Sequence, residues 1–562
     1  MAFQLSPGVN VSEVDLTTVV PSVLTTAGAF AGIFNWGPAG KVVLIDSENT
    51  LSKTFGKPTS DTAVSFLTAA SFLAYGNNLS VVRAIDANAS NATANTSYQV
   101  KNDDEFKYIH LNTDNNNRFG SFMARYPGKI GNSLSVSVCA NTSLFSSWAY
   151  KSYFTSAPST SDYAASVGGS NDEMHVVVID TNGEFSGAQG TVLETFPFIS
   201  KASDASINGV SNYYKEVVFK QSRYVYATDP SQYVSTRSSW GTPAAGTNFV
   251  NLVTNVTVDL AGGLDSSVSV GDYETAWDLF SNKDTTNISL AITADAPVVV
   301  QQYVIDNVAS ARKDCVAFIS PPLTSVDTVN TLAPTEGIAT WLTSLARSSS
   351  YVVADSGWKY MYDKYNNTYR FVPLNGDVAG LCVNTDTVRD PWFSPAGFNR
   401  GQVKNAIKLI WNPNKTQRDV IYSAGVNPVV TFPGQGVVLF GDKTLQSKPS
   451  AFDRINVRRL FIVLEKAIAE AAKYSLFEFN DEFTRAQFVA LVTPFLRDIQ
   501  GRRGVTDFKV VCDTTNNTPQ VIDSNRFVGD IYIKPARSVN FIQLNFVAVG
   551  TGVDFTTVVG AV

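Results

Sequence analysis

Acid–base chemistry near neutral pH calls first on histidine, and this 562-residue chain holds only two, His110 and His175. His175 stands inside the strand-like run His175-Val176-Val177-Val178-Ile179-Asp180, and His110 lies beside Leu111 at the edge of an asparagine-rich stretch. Both positions suit a hydrogen-bonded structural imidazole better than a general base. No H-E-x-x-H zinc helix, G-x-S-x-G nucleophile turn or G-x-x-x-x-G-K-[ST] phosphate loop occurs. The nearest phosphate-loop mimic, Phe55-Gly56-Lys57-Pro58-Thr59, has no glycine five residues before Gly56 and sets a proline after the lysine. Gly434-Gln435-Gly436 opens a run like a dinucleotide fingerprint, but Gly441 falls two residues late and the run precedes a strand instead of following one. The carboxylate pairs Asp103/Asp104 and Asp481/Glu482 sit in polar context and read as solvated surface. Cys139, Cys315, Cys382 and Cys512 are far apart with no C-x-x-C spacing, so they read as reduced thiols packed as small apolar groups, in a chain made in a reducing compartment. The sequence nominates no catalytic residue, no cofactor-binding residue and no metal ligand.

The elements around these residues point to a multidomain chain. Its length exceeds the roughly 250 residues at which a single core stops growing. Aromatic residues make up 12% and charged residues only 16%, which suits a surface buried largely against copies of itself. A net charge of −6 argues against sequence-independent nucleic-acid binding. No apolar run approaches the ~18 residues of a membrane span, and Met1–Asp15 lacks the basic and apolar regions of a secretory signal.

Periodicity divides the chain further. Residues 1–20 read as an extended N-terminal arm, and 21–86 as strands around a helix over 61–75, with Asp61 as N-cap and Gly76 after its end. Residues 87–122 are asparagine-rich and read as a short surface insertion. Short alternating runs over 123–258 predict a β-rich domain. From 259 to 450 strand and helix alternate, which implies a largely parallel sheet covered by helices and completed by 21–86, with a loop-rich part from 355. Residues 451–548 predict a C-terminal α+β domain, with a helix over 453–474, a second over 482–500 broken by Pro494, and three strands. Residues 549–562 form a C-terminal arm.

Several runs, taken in order, resemble the contractile tail sheath family of myophages. They are Ser6-Pro7-Gly8-Val9, Phe34-Asn35-Trp36-Gly37-Pro38-Ala39, Thr54-Phe55-Gly56-Lys57-Pro58-Thr59, Tyr75-Gly76-Asn77-Asn78-Leu79, Ser394-Pro395-Ala396-Gly397-Phe398-Asn399-Arg400-Gly401, Asp453-Arg454-Ile455-Asn456-Val457-Arg458-Arg459 and Val511-Cys512-Asp513-Thr514-Thr515-Asn516-Asn517. The resemblance implies a subtilisin-like α/β middle domain without the protease, an inserted β-rich domain, and a C-terminal α+β domain nearest the tail tube. Residues 259–562 contain no histidine for a triad.

It also implies a structural, non-enzymatic subunit that polymerises helically around the tube, assembles in the host cytoplasm, and contracts to drive the tube through the host envelope. The implied partners are further copies of the chain, the tail tube protein, and baseplate and tail terminator proteins, with no direct nucleic-acid contact and no membrane insertion. The arms are expected to add strands to neighbouring subunits through Val9, Val11 and Val14 at one end and Val553, Phe555 and Val558 at the other. Candidate tube-facing cations are Arg454, Arg458, Arg459, Arg502, Arg503, Lys404 and Lys408, and a solvated face or intra-sheath ion pairs account for them equally well. The sheath of a tailocin or secretion machine, an α/β hydrolase and a non-contractile adhesin or capsid-like protein stay open as alternatives.

Overall fold

Strands whose residues are apolar on both sides need cover on both faces. The run Gly28-Ala29-Phe30-Ala31-Gly32 is buried throughout and forms β1 (Gly28–Gly32) of a seven-stranded sheet. The others are β2 (Val43–Ile45), β3 (Leu79–Arg83), β4 (Leu290–Ile292), β5 (Val316–Ile319), β6 (Val352–Asp355) and β7 (Val426–Asn427). Their order is β7-β6-β5-β4-β1-β3-β2, parallel except where β2 meets β3. The pairing of β1 with β4, Gly28 opposite Leu290, unites the N-terminal segment with the alternating region as the sequence implied.

Successive side chains of these strands enter different cores. Phe30, Leu290, Ile292 and Phe318 pack with the helix Ala63–Leu73 and with Val378 and Leu381. Ala29, Ala291 and Ala317 face Trp277, Val300, Ile305 and Trp341 on the other side.

The computed structural model describes residues 20, 23–112, 120–229, 239–265, 267–329, 333–540 and 543. They divide into two units. One runs from Val20 to Pro391 and from Pro395 to Tyr474; the other joins Trp392–Ser394 to the chain from Ser475 onward.

The β-rich region belongs to the first unit. Leu134–Cys139, Glu173–Asp180, Thr191–Ser200 and Val256–Asp259 form an antiparallel sheet in which Leu134–Cys139 pairs both Val256–Asp259 and Glu173–Asp180. Lys201 is fully buried beside it. Its ammonium donates to the carbonyls of Ala140 and Asn171 and to Asn251 Oδ1, and burial lowers its pKa to about 7.

Several expectations need correction. The stretch 87–122 is no simple loop, because Asp103–Asn112 is helical and Asn91 is wholly buried. The Asn91 side chain stands in for a missing strand, donating to the carbonyls of Val100 and Ala124 and accepting from the Val100 amide. Residues 355–450 are ordered as well. They hold a three-stranded sheet (Trp358–Asp363, Thr368–Pro373, Lys408–Leu409), the helix Asn375–Val388 and the hairpin Val429–Phe432/Gly436–Leu439. Gly434 and Gly436, both at φ 75°, turn that hairpin.

The helix Glu482–Gly501 continues through Pro494 unbroken. Its apolar face, with Phe488, Val492, Leu496 and Ile499 buried, holds it together against the one hydrogen bond that proline removes. The helix Ile455–Ala472 packs with the first unit, Ile455 and Ile462 being part of the sheet's core. Asp61 does not cap its helix, whose N-cap position is Thr62.

A side-chain carbon added at Gly376 would fall 2.5 Å from the Thr68 carbonyl oxygen, where the helix Asn375–Val388 crosses Ala63–Leu73. Gly376→Ala is expected to lower the denaturation midpoint by the equivalent of about 1–3 kcal/mol. Gly271→Ala, in a helix where an added carbon meets Ser269 Oγ at an ordinary 3.9 Å, is expected to leave the midpoint unchanged or raise it, by up to about 1 kcal/mol.

Candidate functional site

The imidazole of His175 is committed to structure. The Phe198 amide donates to Nδ1 at 3.1 Å, so the ring proton sits on Nε2 and is donated to the Ser156 carbonyl at 2.9 Å. The ring stacks on Phe154 at 4.2 Å, and burial pulls its pKa down. All four cysteines are buried free thiols, and burial pushes those of Cys315 and Cys382 up to about 12. No group of three or more His, Cys, Asp or Glu residues could hold a metal ion among the described residues.

Open α/β sheets bind ligands beyond the carboxyl ends of their strands. Here that edge is filled by an internal polar network. Lys359 lies 2.9 and 2.8 Å from the two Asp377 carboxylate oxygens, with both side chains fully buried. Tyr75 donates to Asp377 Oδ1 and accepts from the Lys404 amide, and Lys359 also donates to the Lys404 carbonyl. Asp355, at the end of β6, accepts from the Ser320 hydroxyl and the Gly357 amide. Burial pushes its carboxyl up to about 8 all the same. The alternation of Trp358–Asp363 could have revealed this network, since it turns Lys359, Met361 and Asp363 inward together. A cleft of about 510 Å³ between Asp295, Leu323, Trp358 and Arg370 opens at the same end of the sheet.

The proposed basic face is largely internal. Arg459 is 4% exposed and grips Asp386 with two bonds of 2.8 and 2.6 Å. Burial opposes its charge, and the Asp386 carboxylate more than offsets that, so its pKa is raised. Arg458 is equally buried, donates to Ser350 Oγ and Tyr351 Oη, and stacks over Tyr351 and Phe452 at 4.2 and 4.0 Å. Neither can present charge to a partner, because each is consumed in joining the helix Ile455–Ala472 to the body of the unit. Arg454 pairs with Asp442 at 3.0 Å. Lys404 donates to the Ala74 carbonyl over the Tyr75 ring, and exposed Lys408 lies over Tyr360 at 4.9 Å. In the second unit Arg502 and Arg503 are exposed, with Arg502 over Trp392 at 5.1 Å.

The second unit also holds a two-stranded ribbon beside a groove. Val505–Val511 pairs antiparallel with Asp530–Pro535 in a two-stranded ribbon, with a register shift between Val505 and Asp507. Gln500 caps the Thr506 carbonyl and Asn516 the Val511 carbonyl. Between those caps the outer edge of the strand pairs with no other strand among the described residues. Buried Asn517 anchors the connecting loop by exchanging bonds with Val528, donating to its carbonyl at 2.8 Å and accepting from its amide at 2.9 Å. A groove of about 580 Å³ lies between the strand and the helix Glu482–Gly501, lined by Val489, Ala490, Pro494, Val510 and Cys512 among others. An open edge beside an apolar trough can accept an extended segment, the edge through backbone bonds and the trough through alternate side chains. The arm residues Val9, Val11, Val14, Val553, Phe555 and Val558 lie outside the described residues.

Comparison with known proteins bears on the same regions. Family models match three segments: the tail sheath protein Gp18 domain III N-terminal region at 26–84, the phage tail sheath protein central domain at 267–445, and the phage tail sheath C-terminal domain at 447–548. The tail sheath protein of Vibrio phage KVP40 is 34% identical, covering 99% of this chain and 100% of its own; that of Enterobacteria phage T4 is 32% identical over 99% of each. Among solved structures, a sheath tail protein from Listeria innocua aligns over 92% of this chain and 97% of its own at 13% identity, with a TM-score of 0.53. The helical sheath of the anti-feeding prophage in its contracted state aligns over 97% and 99% at 14% identity, with a TM-score of 0.52.

The Asp355 carboxyl supplies a pH test. An unfolded aspartate titrates near ~3.9, so between about pH 4 and pH 8 the folded chain keeps a proton that the unfolded chain has released. Stability from this group is therefore full below pH 4, falls as pH rises through that window, and is level above it. Asp355→Asn removes the loss; thermal unfolding should show a gain on the order of 1–3 kcal/mol at pH 8 and little at pH 4. Asp386→Ala, which strands the buried Arg459 charge, should cost about 3–5 kcal/mol by denaturant titration.

Proposed function

The chain belongs to the phage tail sheath family, and from that membership we propose that it is the subunit of a contractile sleeve. Its copies polymerise helically around a tail tube in a metastable extended state and contract to drive the tube through the host envelope. The observation that carries this reading furthest is the open ribbon edge and its apolar groove in the C-terminal unit. Arms from residues 1–20 and 549–562 of neighbouring copies add strands at such edges, through Val9, Val11 and Val14 and through Val553, Phe555 and Val558. At about 1 kcal/mol net per hydrogen bond, one arm contributes only several kcal/mol, and multiplicity makes the mesh strong.

The role is structural and not enzymatic, which the commitment of His175 to backbone partners supports. In this reading the α/β part is a subtilisin-like scaffold with the β-rich domain inserted, and the C-terminal unit is the part nearest the tube. Arg502 and Arg503 are the cations best disposed to meet the tube, with Lys408 a further candidate. Baseplate and terminator proteins bound the sleeve at its ends, and assembly takes place in the host cytoplasm. If contraction buried some 500 Å² more apolar surface per subunit, it would release on the order of 10 kcal/mol at ~25 cal/mol per Å², with no nucleotide needed.

Removing residues 1–20 should leave a chain that melts at the unaltered temperature yet sediments as a monomer. Contractile sleeves assembled from that deletion, seen by electron microscopy, would refute the role given to the arm. Charge reversal at Arg502 and Arg503 together should leave the sleeve intact and weaken its hold on isolated tube at least tenfold at low salt, an effect that added salt should mask.

A further inference from the structure

The segment from Ser475 to Thr484 departs from the ordinary surface rule, holding its apolar side chains out in water. Leu476 is 63% exposed, Phe477 104%, Phe479 83% and Phe483 69%. Between them Asn480 donates to the Arg526 carbonyl at 2.8 Å and to Asn517 Oδ1 at 3.2 Å. The buried Arg485 donates back to the Asn480 carbonyl and Oδ1 at 3.1 and 2.8 Å. Asp481 Oδ1 accepts from the Thr484 amide at 2.8 Å and starts the helix that follows. The aromatic rings are thus displayed from an anchored base and do not hang from a frayed end. Phe477 holds a φ of 70°, a left-handed conformation that a bulky side chain adopts only against strain.

Two quantities say what covers these side chains. Together they leave on the order of 500 Å² of apolar area in water, a large part of the roughly 800 Å² that one partner contributes to a standard interface. The charge pattern is also one-sided. Glu478, Asp481 and Glu482 rim the patch, and no Lys or Arg occurs from 475 to 484. Apart from the Arg502 and Arg503 assigned to the tube, the same unit exposes Arg497 and Lys509 elsewhere in its sequence, and Lys534, which pairs with Asp507 at 2.9 Å. An acidic, aromatic patch meeting exposed cations of an identical unit makes a heterologous contact, which can repeat into an open polymer instead of closing a pair.

We infer that Leu476, Phe477, Phe479 and Phe483 form a side-chain contact with the surface that carries Arg497 and Lys509 on a second copy's C-terminal unit, separate from any exchange of arms. The inference rests on the polymer reading above and names a further surface that the polymer uses.

The test replaces Phe477 in the full chain with the photo-reactive p-benzoylphenylalanine and irradiates dispersed and polymerised protein. A product of two chains, formed only in the polymer and mapping within 497–534 of the second copy, is expected. A product within one chain, or none, in a chain that does polymerise overturns the contact and leaves the polymer reading standing. Wild-type chain that never polymerises overturns both, and sedimentation reveals that before any light is applied. The double substitution Phe479→Ser with Phe483→Ser should raise the concentration needed for assembly at least tenfold with an unchanged melting temperature; an unchanged assembly concentration contradicts the contact.

Discussion

Backbone amides and carbonyls at a sheet edge are obligate hydrogen-bonding groups that only water or another strand can satisfy. In the C-terminal unit the chain caps Thr506 and Val511 with its own Gln500 and Asn516, and it leaves the strand edge between them unpaired by any strand among the described residues. The apolar groove beside that edge holds Val489, Ala490, Pro494 and Val510 at a surface where a monomer gains nothing from them. The proline belongs to the same logic: a helix face meant to be covered tolerates a residue that a free helix would avoid.

A moving lattice also needs subunits that keep their internal arrangement. The buried pairs supply stiffness. Lys359 with Asp377 and Arg459 with Asp386 tie the three-stranded sheet and the helix Ile455–Ala472 to the rest of the first unit. Burying an ion pair often adds little to stability, but breaking one is costly, so such pairs favour one arrangement over its near alternatives. Rigid bodies joined by short, replaceable backbone bonds can shift past one another without dissolving the polymer.

Much of this was legible in the sequence because burial writes itself into period. Near-continuous apolar runs such as Leu79–Arg83 and Val316–Ile319 became parallel strands. Composition misled where polar residues do internal work. Asparagines around Asn91 read as loop, although the amide replaces backbone pairing. The arginines at 458 and 459 read as a surface face, although their partners Ser350, Tyr351 and Asp386 lie about 70 to 110 residues away and leave no local trace. The exposed aromatics at 476–483 were missed for the converse reason, since Phe and Leu in a chain read as core until a structure shows them outside.

The most direct measurement of the central claim is amide hydrogen exchange across residues 505–511, in dispersed and in polymerised protein. If the edge accepts a strand from another copy, polymerisation should slow exchange there by at least a hundredfold, while amides inside β4 and β5 stay equally protected in both states. Exchange in 505–511 that is as fast in the polymer as in the monomer would contradict the account.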